Sequence, residues 1–307
     1  MKLFFISFCM TILISHTIAK PTTSKVCDKK ELKILSWNIY MLPYISLFNN
    51  NGERAKVIAD KLQYSDYQII VFQEAFSSKC RHILEKGLLK EYPYQYGPAN
   101  KNTLPFKTNS GLWVVSKIPL VELGEFQFGR SGGFDAVARK GAVLFSGNFY
   151  GADFQLLTTH LQSEYSHEMR KIQCIEIKEH LLNPYFKNNI PQLICGDFNI
   201  DMDDMPNYQQ MLKILDAKNG ELSGTVNVTY DEINNNLARV NNGKQRIIDY
   251  VLVRNGELIH SIERKVQTFF SKINGYETHL SDHYAMEFNV SFRVSGENTT
   301  VQMVSAR

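Results

Sequence analysis

Apolar runs of strand length recur along the chain, and most are followed at once by polar residues. They occupy Leu32–Ile39, Gln68–Phe72, Leu112–Ser116, Val143–Phe149, Phe154–Thr159, Gln192–Cys195, Ile247–Val253 and Ala285–Phe292. Their lengths and their content of Val, Ile and Phe predict strands. Gly151-Ala152-Asp153, between two of these runs, predicts a hairpin connection. Helical spacing fills three of the intervals. Glu53–Leu62 carries Val57, Ile58 and Leu62; Glu164–Leu182 carries Ile172, Ile175 and Leu182; Met205–Leu215 carries Met211, Leu212 and Leu215. Strands alternating with helices, with hairpins among them, predict an α/β fold with mixed sheets.

Composition narrows this picture. The chain has 307 residues, enough for one large domain or two small ones. No repeat, low-complexity block or Pro/Gly-rich linker divides it, so a single domain over Lys30–Arg293 is the simplest reading, with a polar tail at Val294–Arg307. At 44% hydrophobic and 21% charged residues, disordered, collagen-like and coiled-coil classes are excluded. A mean hydropathy of −0.24 excludes a polytopic membrane protein.

Met1–Ala19 has the layout of a secretory signal: Lys2, then a mostly apolar stretch over Leu3–Ile14, then small residues at Thr17 and Ala19. The stretch is short for a bilayer span. Export with cleavage after Ala19 is therefore expected, and the protein is expected to be secreted. Without Met1–Lys20 the chain carries 32 basic and 31 acidic residues, so no basic footprint demands nucleic acid. Cys27, Cys80, Cys174 and Cys195 then remain, which allow three pairings if all are oxidised. No C-x-x-C spacing suggests zinc, and Cys195 lies in an apolar run suited to a buried thiol.

The chemistry sits just past the strand ends, where sites of α/β sheets gather. Asn38 closes the first run and Gln73-Glu74 the second. Thr159-His160 closes another, Gly196-Asp197-Phe198-Asn199 follows Leu193-Ile194-Cys195, and Ser281-Asp282-His283 precedes the last. Glu74, Asn38 and Asp282 offer hard oxygen ligands, which suit magnesium, manganese or calcium better than zinc. His160 and His283 can move protons near neutral pH. Asp249 interrupts the apolar run Ile247–Val253, and a carboxylate there needs a buried partner. His283 would serve, and so would a salt bridge to Arg246 or Arg254. Neither a Gly-rich phosphate cradle nor a G-x-S-x-G elbow is present. The set suits metal-assisted hydrolysis of a phosphate ester.

In order and type, Asn38, Gln73-Glu74, Thr159-His160, Gly196-Asp197-Phe198-Asn199, Asp249 and Ser281-Asp282-His283 resemble the endonuclease/exonuclease/phosphatase superfamily. Within it the chain is most similar to neutral sphingomyelinases of the secreted bacterial type. Asn38-Ile39-Tyr40, Gln73-Glu74-Ala75-Phe76, Gly111–Lys117, Gly133-Phe134-Asp135 with Lys140-Gly141, Thr159–Gln162 and Thr229-Tyr230-Asp231 followed by Asn235 carry that likeness. The resemblance implies a DNase-I-like, four-layer sandwich of two mixed β-sheets flanked by helices.

It also implies roles. Glu74 would be the main magnesium ligand, with Asn38 beside it and Asp282 supporting; manganese or cobalt would be substitutes. Asp197 and Asn199 would orient water and phosphate. His283 would be the general base, held in its tautomer by Asp249. His160 would hydrogen-bond the phosphate, Asp135 and Lys140 would form an aspartate–lysine pair near it, and Asn235 would contact phosphate or metal-bound water. Phe269 and Phe270, with Ile273 and Tyr276 around the turn dipeptide Asn274-Gly275, would either meet a membrane interface or pack in the core.

The implied function is a secreted, magnesium-dependent sphingomyelinase C. It would act as a monomer in peripheral contact with membrane sphingomyelin, with no obligatory nucleic acid. A nuclease or a phosphoinositide or phosphomonoester phosphatase on the same scaffold is the alternative, and a catalytically silent module is a third.

Overall fold

The computed structural model describes residues 31–42, 50–101, 108–163, 167–238 and 243–293. The expected signal segment, Cys27 and the expected polar tail lie outside these residues. In chain order the strands are β1 (Glu31–Asn38), β2 (Ile69–Gln73), β3 (Tyr94–Tyr96), β4 (Trp113–Ser116), β5 (Leu120–Gln127), β6 (Gly141–Phe149), β7 (Ala152–His160), β8 (Gln192–Asp197), β9 (Lys218–Asn219), β10 (Glu221–Ser223), β11 (Tyr230–Asp231), β12 (Gln245–Arg246), β13 (Asp249–Arg254), β14 (Ile259–Gln267), β15 (Phe270–Ile273), β16 (Tyr276–His279) and β17 (Ala285–Phe292). The α-helices are α1 (Asn51–Leu62), α2 (Ser78–Leu88), α3 (His167–Ile177) and α4 (Met205–Leu215).

One seven-stranded sheet has the order β10-β14-β17-β1-β2-β4-β3, and a six-stranded sheet has the order β5-β6-β7-β8-β13-β9. Alternation along each strand sorts side chains into three cores. Leu32, Ile34, Val71 and Val114 of the first sheet meet Val143, Phe145, Leu156, Leu193 and Val251 of the second. Leu35, Trp37, Ile70 and Phe72 point the other way, onto Ile58 and Leu62 of α1 and Leu84 and Leu88 of α2. Leu157, Ile194, Tyr250 and Leu252 meet Cys174 and Ile177 of α3 and Met211 and Leu215 of α4. The result is helix, sheet, sheet, helix: a four-layer sandwich of mixed sheets. Each fully buried Leu, Ile, Val or Phe contributes roughly 1.5–3 kcal/mol by leaving water.

Register brings the polar strand ends to one edge of both sheets. β1 and β2 are parallel, with Asn38 opposite Gln73. β7 and β8 are parallel, with His160 opposite Asp197. β13 runs antiparallel to β8 and begins at Asp249, opposite Asp197. β17 runs antiparallel to β1, so the Ser281-Asp282-His283 segment that feeds it returns to the same edge.

The apolar runs all become strands, with shifted ends. The run at Ile247 enters its strand only at Asp249, and the expected helix over Glu164–Leu182 is described from His167 and finishes as a π-helical turn over Lys178–Leu182. The β6–β7 connection turns at Tyr150-Gly151, both with positive φ (51° and 90°), rather than at Gly151–Asp153. That is the pairing a two-residue hairpin favours. α2, β5 and β14 have no counterpart among the sequence expectations. Cys80, Cys174 and Cys195 are free and buried. Burial pushes the thiols of Cys174 and Cys195 up to about 12.

Candidate active site

The backbone at the strand ends is bent into conformations that few residues tolerate. Gly196 has φ 143°, and a Cβ there would lie 2.0 Å from the carbonyl oxygen of Thr159. Only glycine lets β8 approach β7 so closely just before Asp197. Tyr40, Glu74 and Asn199 all sit in the left-handed region, at φ 52°, 55° and 52°. Asn takes that conformation readily, while for Glu and Tyr it carries strain, which tends to be kept where a site needs it.

One side of the site is a knot of carboxylates. The Asn38 Nδ2 donates to Glu74 Oε1 at 3.1 Å and to Asp197 Oδ2 at 3.1 Å. Its Oδ1 accepts from the Tyr40 amide at 3.2 Å. Asp282 is held by the Ser281 hydroxyl at 3.2 Å, and that hydroxyl also donates to the Asn38 carbonyl at 2.6 Å. Glu74 Oε2 is buried without a hydrogen-bond partner. Burial, with the nearby Asp282 carboxylate, pushes the Glu74 carboxyl up to about 7. Asp282 is raised as well, chiefly by burial.

The other side is fully paired. His283 Nδ1 lies 2.9 Å from Asp249 Oδ2, and its Nε2 faces Asp197 Oδ2 at 3.7 Å. Burial disfavours the imidazolium, but Asp249, Asp197 and Asp282 outweigh it and hold this histidine well above its ordinary range. Neither Arg246 nor Arg254 takes Asp249: the first pairs with Glu232 at 3.0 Å and the second lies 3.6 Å from Asp216.

A third cluster borders both. The Lys140 ammonium donates to Asp135 Oδ1 at 2.8 Å, to the Leu161 carbonyl at 3.0 Å, and to His160 Nε2 at 2.9 Å. His160 therefore accepts through Nε2 and carries its proton on Nδ1. Burial, reinforced by the lysine charge, pushes it down to about 3. Its Nε2 also lies 3.4 Å from Asp197 Oδ2. Asp135 accepts from Ser163 through both backbone and hydroxyl, at 2.7 and 2.9 Å. The Asn199 backbone amide donates to Asp197 Oδ1 at 2.9 Å, and its Nδ2 donates to the Leu161 carbonyl at 3.2 Å.

Asn235 ties its loop to the neighbouring Ser281 carbonyl at 2.9 Å, beside rather than within the carboxylate knot. The aromatic hairpin splits. Phe269 packs on Trp37 in a tilted contact with ring centroids 4.7 Å apart and Ile273 is buried, whereas Tyr276, next to the turn, and Phe270, at the base of the hairpin opposite His279, are 79% and 55% exposed. His279 is half-buried and bonded to Asn236 Oδ1 at 2.9 Å.

Three supports escaped the sequence reading. Trp37 Nε1 donates to the His283 carbonyl at 3.0 Å, the Tyr230 ring meets the His283 ring edge-on at 5.0 Å, and Thr229 Oγ1 accepts from the Asp249 amide at 3.2 Å. The β-bridge between Tyr230 and His283 brings the Tyr230 ring there, and no spacing in the chain announces any of the three contacts.

Two donor groups could hold a cation. Asp197, Asp249 and His283 are buried with ligand atoms within 4.8 Å of one another. There, however, Asp249 and His283 already satisfy each other. The unpartnered Glu74 Oε2 beside Asp282 and the Asn38 amide is the better fit: a buried carboxylate oxygen with no donor is costly, and a hard divalent cation relieves that cost.

Comparisons with known proteins point the same way. Residues 35–283 match the model of the Endonuclease/Exonuclease/phosphatase family. A "Phospholipase C" of Staphylococcus aureus is 31% identical over 248 residues, covering 73% of this chain and 74% of that protein. A "Sphingomyelinase C" of Bacillus cereus is 28% identical over 302 residues, covering 85% of this chain and 89% of that one. Among solved structures, a mutant beta toxin from Staphylococcus aureus with bound magnesium ions superimposes at a TM-score of 0.73. It is 25% identical and covers 85% of this chain and all of that one.

Proposed function

The chain belongs to the Endonuclease/Exonuclease/phosphatase family, and from that premise we propose that it is a secreted, magnesium-dependent sphingomyelinase C. It hydrolyses membrane sphingomyelin to ceramide and phosphocholine. One observation carries the chemistry: a hydrogen-bonded Asp249–His283 pair faces, across Asp197, a buried Glu74 oxygen that lacks a donor. The names of the similar proteins, a phospholipase C and a sphingomyelinase C, support the choice of lipid over nucleic acid.

Glu74 would hold magnesium as its main ligand, with Asn38 and Asp282 beside it, and the cation would supply positive charge against the phosphoryl oxygens; manganese or cobalt would be the substitutes. His283 Nε2 takes the proton of the attacking water, and Asp249 keeps Nδ1 protonated and stabilises the imidazolium. A cation bound there would counter the carboxylate field that holds His283 high and so favour the neutral ring that a base requires. Asp197 and Asn199 orient water and phosphate.

All three N–H bonds of Lys140 are occupied in the absence of substrate. A phosphate oxygen therefore competes with His160 for one of them. His160, released from the ammonium, hydrogen-bonds the phosphate once its proton has moved from Nδ1 to Nε2 by way of water, and both residues stabilise the charge that grows on phosphorus. As the phosphorus–oxygen bond to ceramide breaks, the ceramide oxygen takes a proton from solvent, His283 returns to solvent the proton it took, and phosphocholine departs. Asn235 borders the phosphate side. The exposed Phe270 and Tyr276 of the hairpin provide peripheral membrane contact, where aromatics are favoured. Met1–Ala19 directs export, the catalytic domain spans Lys30–Arg293, and the protein works as a monomer.

The test is phosphocholine release from sphingomyelin vesicles, with magnesium and with EDTA, beside a plasmid-nicking assay on the same preparation. Magnesium-dependent release without nicking is expected. Nicking without release would keep the metal chemistry and transfer the function to nucleic acid.

A further inference from the structure

Guanidinium groups on three different helices reach the chain just beyond three site-bearing strand ends. Arg54 of α1 is 1% exposed. Its Nη1 donates to the Ile39 carbonyl at 3.0 Å and the Leu280 carbonyl at 2.7 Å, and its Nη2 to the Tyr40 carbonyl at 2.6 Å and Asn51 Oδ1 at 2.7 Å. Ile39 and Tyr40 follow Asn38, and Leu280 precedes Ser281-Asp282. Arg81 of α2 donates through Nη1 to the carbonyls of Ala75 and, at 2.8 Å, Phe76, the two residues after Glu74. Arg170 of α3 is buried and donates to the Gln162 carbonyl at 3.2 Å, two residues after His160; its Nη2 meets His167 Nδ1 at 3.2 Å.

Desolvating a guanidinium costs several kcal/mol, and an apolar side chain of similar volume would often be the more stable choice. What the guanidinium supplies instead is a planar fork of donors in fixed geometry. The turns it holds are the ones that need holding: Tyr40 and Glu74 both have left-handed backbones. Arg54 also joins two separate segments, the turn after Asn38 and the approach to Asp282. Its charge further favours the ionised form of Asp282.

We infer that Arg54 and Arg81 are positioning residues for the cation pocket and Arg170 for the phosphate side, each acting through the backbone carbonyls that fix the turn beside a site residue. This rests on the proposed roles of Glu74, Asn38 and Asp282 as cation ligands and of His160 and Asn199 as phosphate contacts.

The experiment compares the full chain with Arg54→Lys, Arg81→Lys and Arg170→Lys by two titrations. One follows the unfolding temperature of the initially metal-free protein as magnesium is added; the other follows phosphocholine release over the same magnesium range. A lysine keeps the charge, but its ammonium stops about where the guanidinium carbon sits, short of these carbonyls, and it offers no planar fork. Arg54→Lys and Arg81→Lys should raise the half-saturating magnesium concentration by about tenfold to a hundredfold in both titrations, the size of loss seen for groups that orient metal ligands. Arg170→Lys should lower kcat by about tenfold and move the magnesium midpoint by less than about twofold.

Lower unfolding temperatures in the first two variants with an unmoved magnesium midpoint would reduce these arginines to fold stabilisers and overturn the inference. If Arg54→Lys does not fold, Arg81→Lys, at a less buried site, decides by the same titration. A wild-type protein that magnesium stabilises but that releases no phosphocholine would sink the substrate reading alone. One that magnesium does not stabilise would sink the metal assignment and this inference together.

Discussion

The two halves of the site differ in how complete they are. Around His283 every charge has its counterpart: Asp249 holds Nδ1 at 2.9 Å, Tyr230 flanks the ring, and Trp37 ties down the backbone carbonyl. Around Glu74 three carboxylates crowd together, one oxygen has no donor, and burial pushes the Glu74 carboxyl up to about 7. The first half is assembled by the fold alone. The second is held in place by the fold but becomes electrostatically sound only with a cation. Buried like charges are costly in the low-dielectric interior, so this half works against stability until it is filled.

The largest expected effect breaks both halves at once. His283→Ala and Glu74→Gln should each lower magnesium-dependent phosphocholine release by about 10³–10⁴-fold, with the circular dichroism spectrum unchanged. A folded His283→Ala variant that keeps its activity would remove the base from the mechanism.

Stability should separate the halves where activity does not. In EDTA at pH 8, Glu74→Gln removes a buried carboxylate held against its preference. The variant should therefore unfold at a temperature several degrees above wild type, an effect of about 1–3 kcal/mol. Magnesium should stabilise wild type and leave the variant unmoved. His283→Ala loses the partner of Asp249 and should be destabilised instead. Calorimetry with and without the metal reads all of this, and a Glu74→Gln protein less stable than wild type in EDTA would contradict the strained-carboxylate account.

The pH response sharpens the same contrast. Glu74 is raised from an ordinary 4.5 to about 7, so in the metal-free protein its stabilising contribution is full below about 4.5 and is lost as pH rises through about 7. His160 is lowered from 6.5 to about 3, so its contribution is present above about 6.5 and is lost as pH falls toward about 3. Between pH 7 and pH 5 the two oppose each other. Removing the first by Glu74→Gln should leave a steeper loss of stability on acidification than in wild type. Urea titrations in EDTA at the two pH values measure the slopes, and equal slopes would argue against the opposed pair.

The smallest effect lies at the hairpin. Replacing Phe270 and Tyr276 by Ser should weaken binding to sphingomyelin vesicles about tenfold while leaving the unfolding temperature unchanged, because both side chains are exposed. Phe269→Ala, which empties the contact with Trp37, should destabilise the fold.

Much of this site was legible in the chain because apolar strands that stop at polar residues announce both an element and its functional end. Glu74, Asp197, His160 and the Ser281-Asp282-His283 run were readable in that way, and so was the need of Asp249 for a buried partner. The hairpin was readable as a turn but not as two faces, since alternation becomes visible only once the sheet beneath it is known.

Other elements gave weaker signals. α2 buries only Cys80, Leu84 and Leu88 amid charged neighbours, a stripe one residue wide. β5 shows its partners mostly exposed side chains, with Glu122 and Glu125 among them, and β14 alternates His, Glu, Arg and Lys with its apolar positions. Neither looks like an apolar run. Arg54, Arg81 and Arg170 read as ordinary solvated helix charges, because burial of a cation depends on which carbonyls a distant loop leaves unpaired.

The free thiols carry a consequence for how the protein is made. Burial, which pushes Cys174 and Cys195 up to about 12, keeps both as thiols at neutral pH, and the thiol is a poor nucleophile toward oxidants or disulfides. Once folded, the sandwich is indifferent to the redox state of its surroundings at these positions. Material refolded with dithiothreitol and material matured in air should share one unfolding temperature, so neither an oxidase nor a reducing cytosol is a precondition for an intact core.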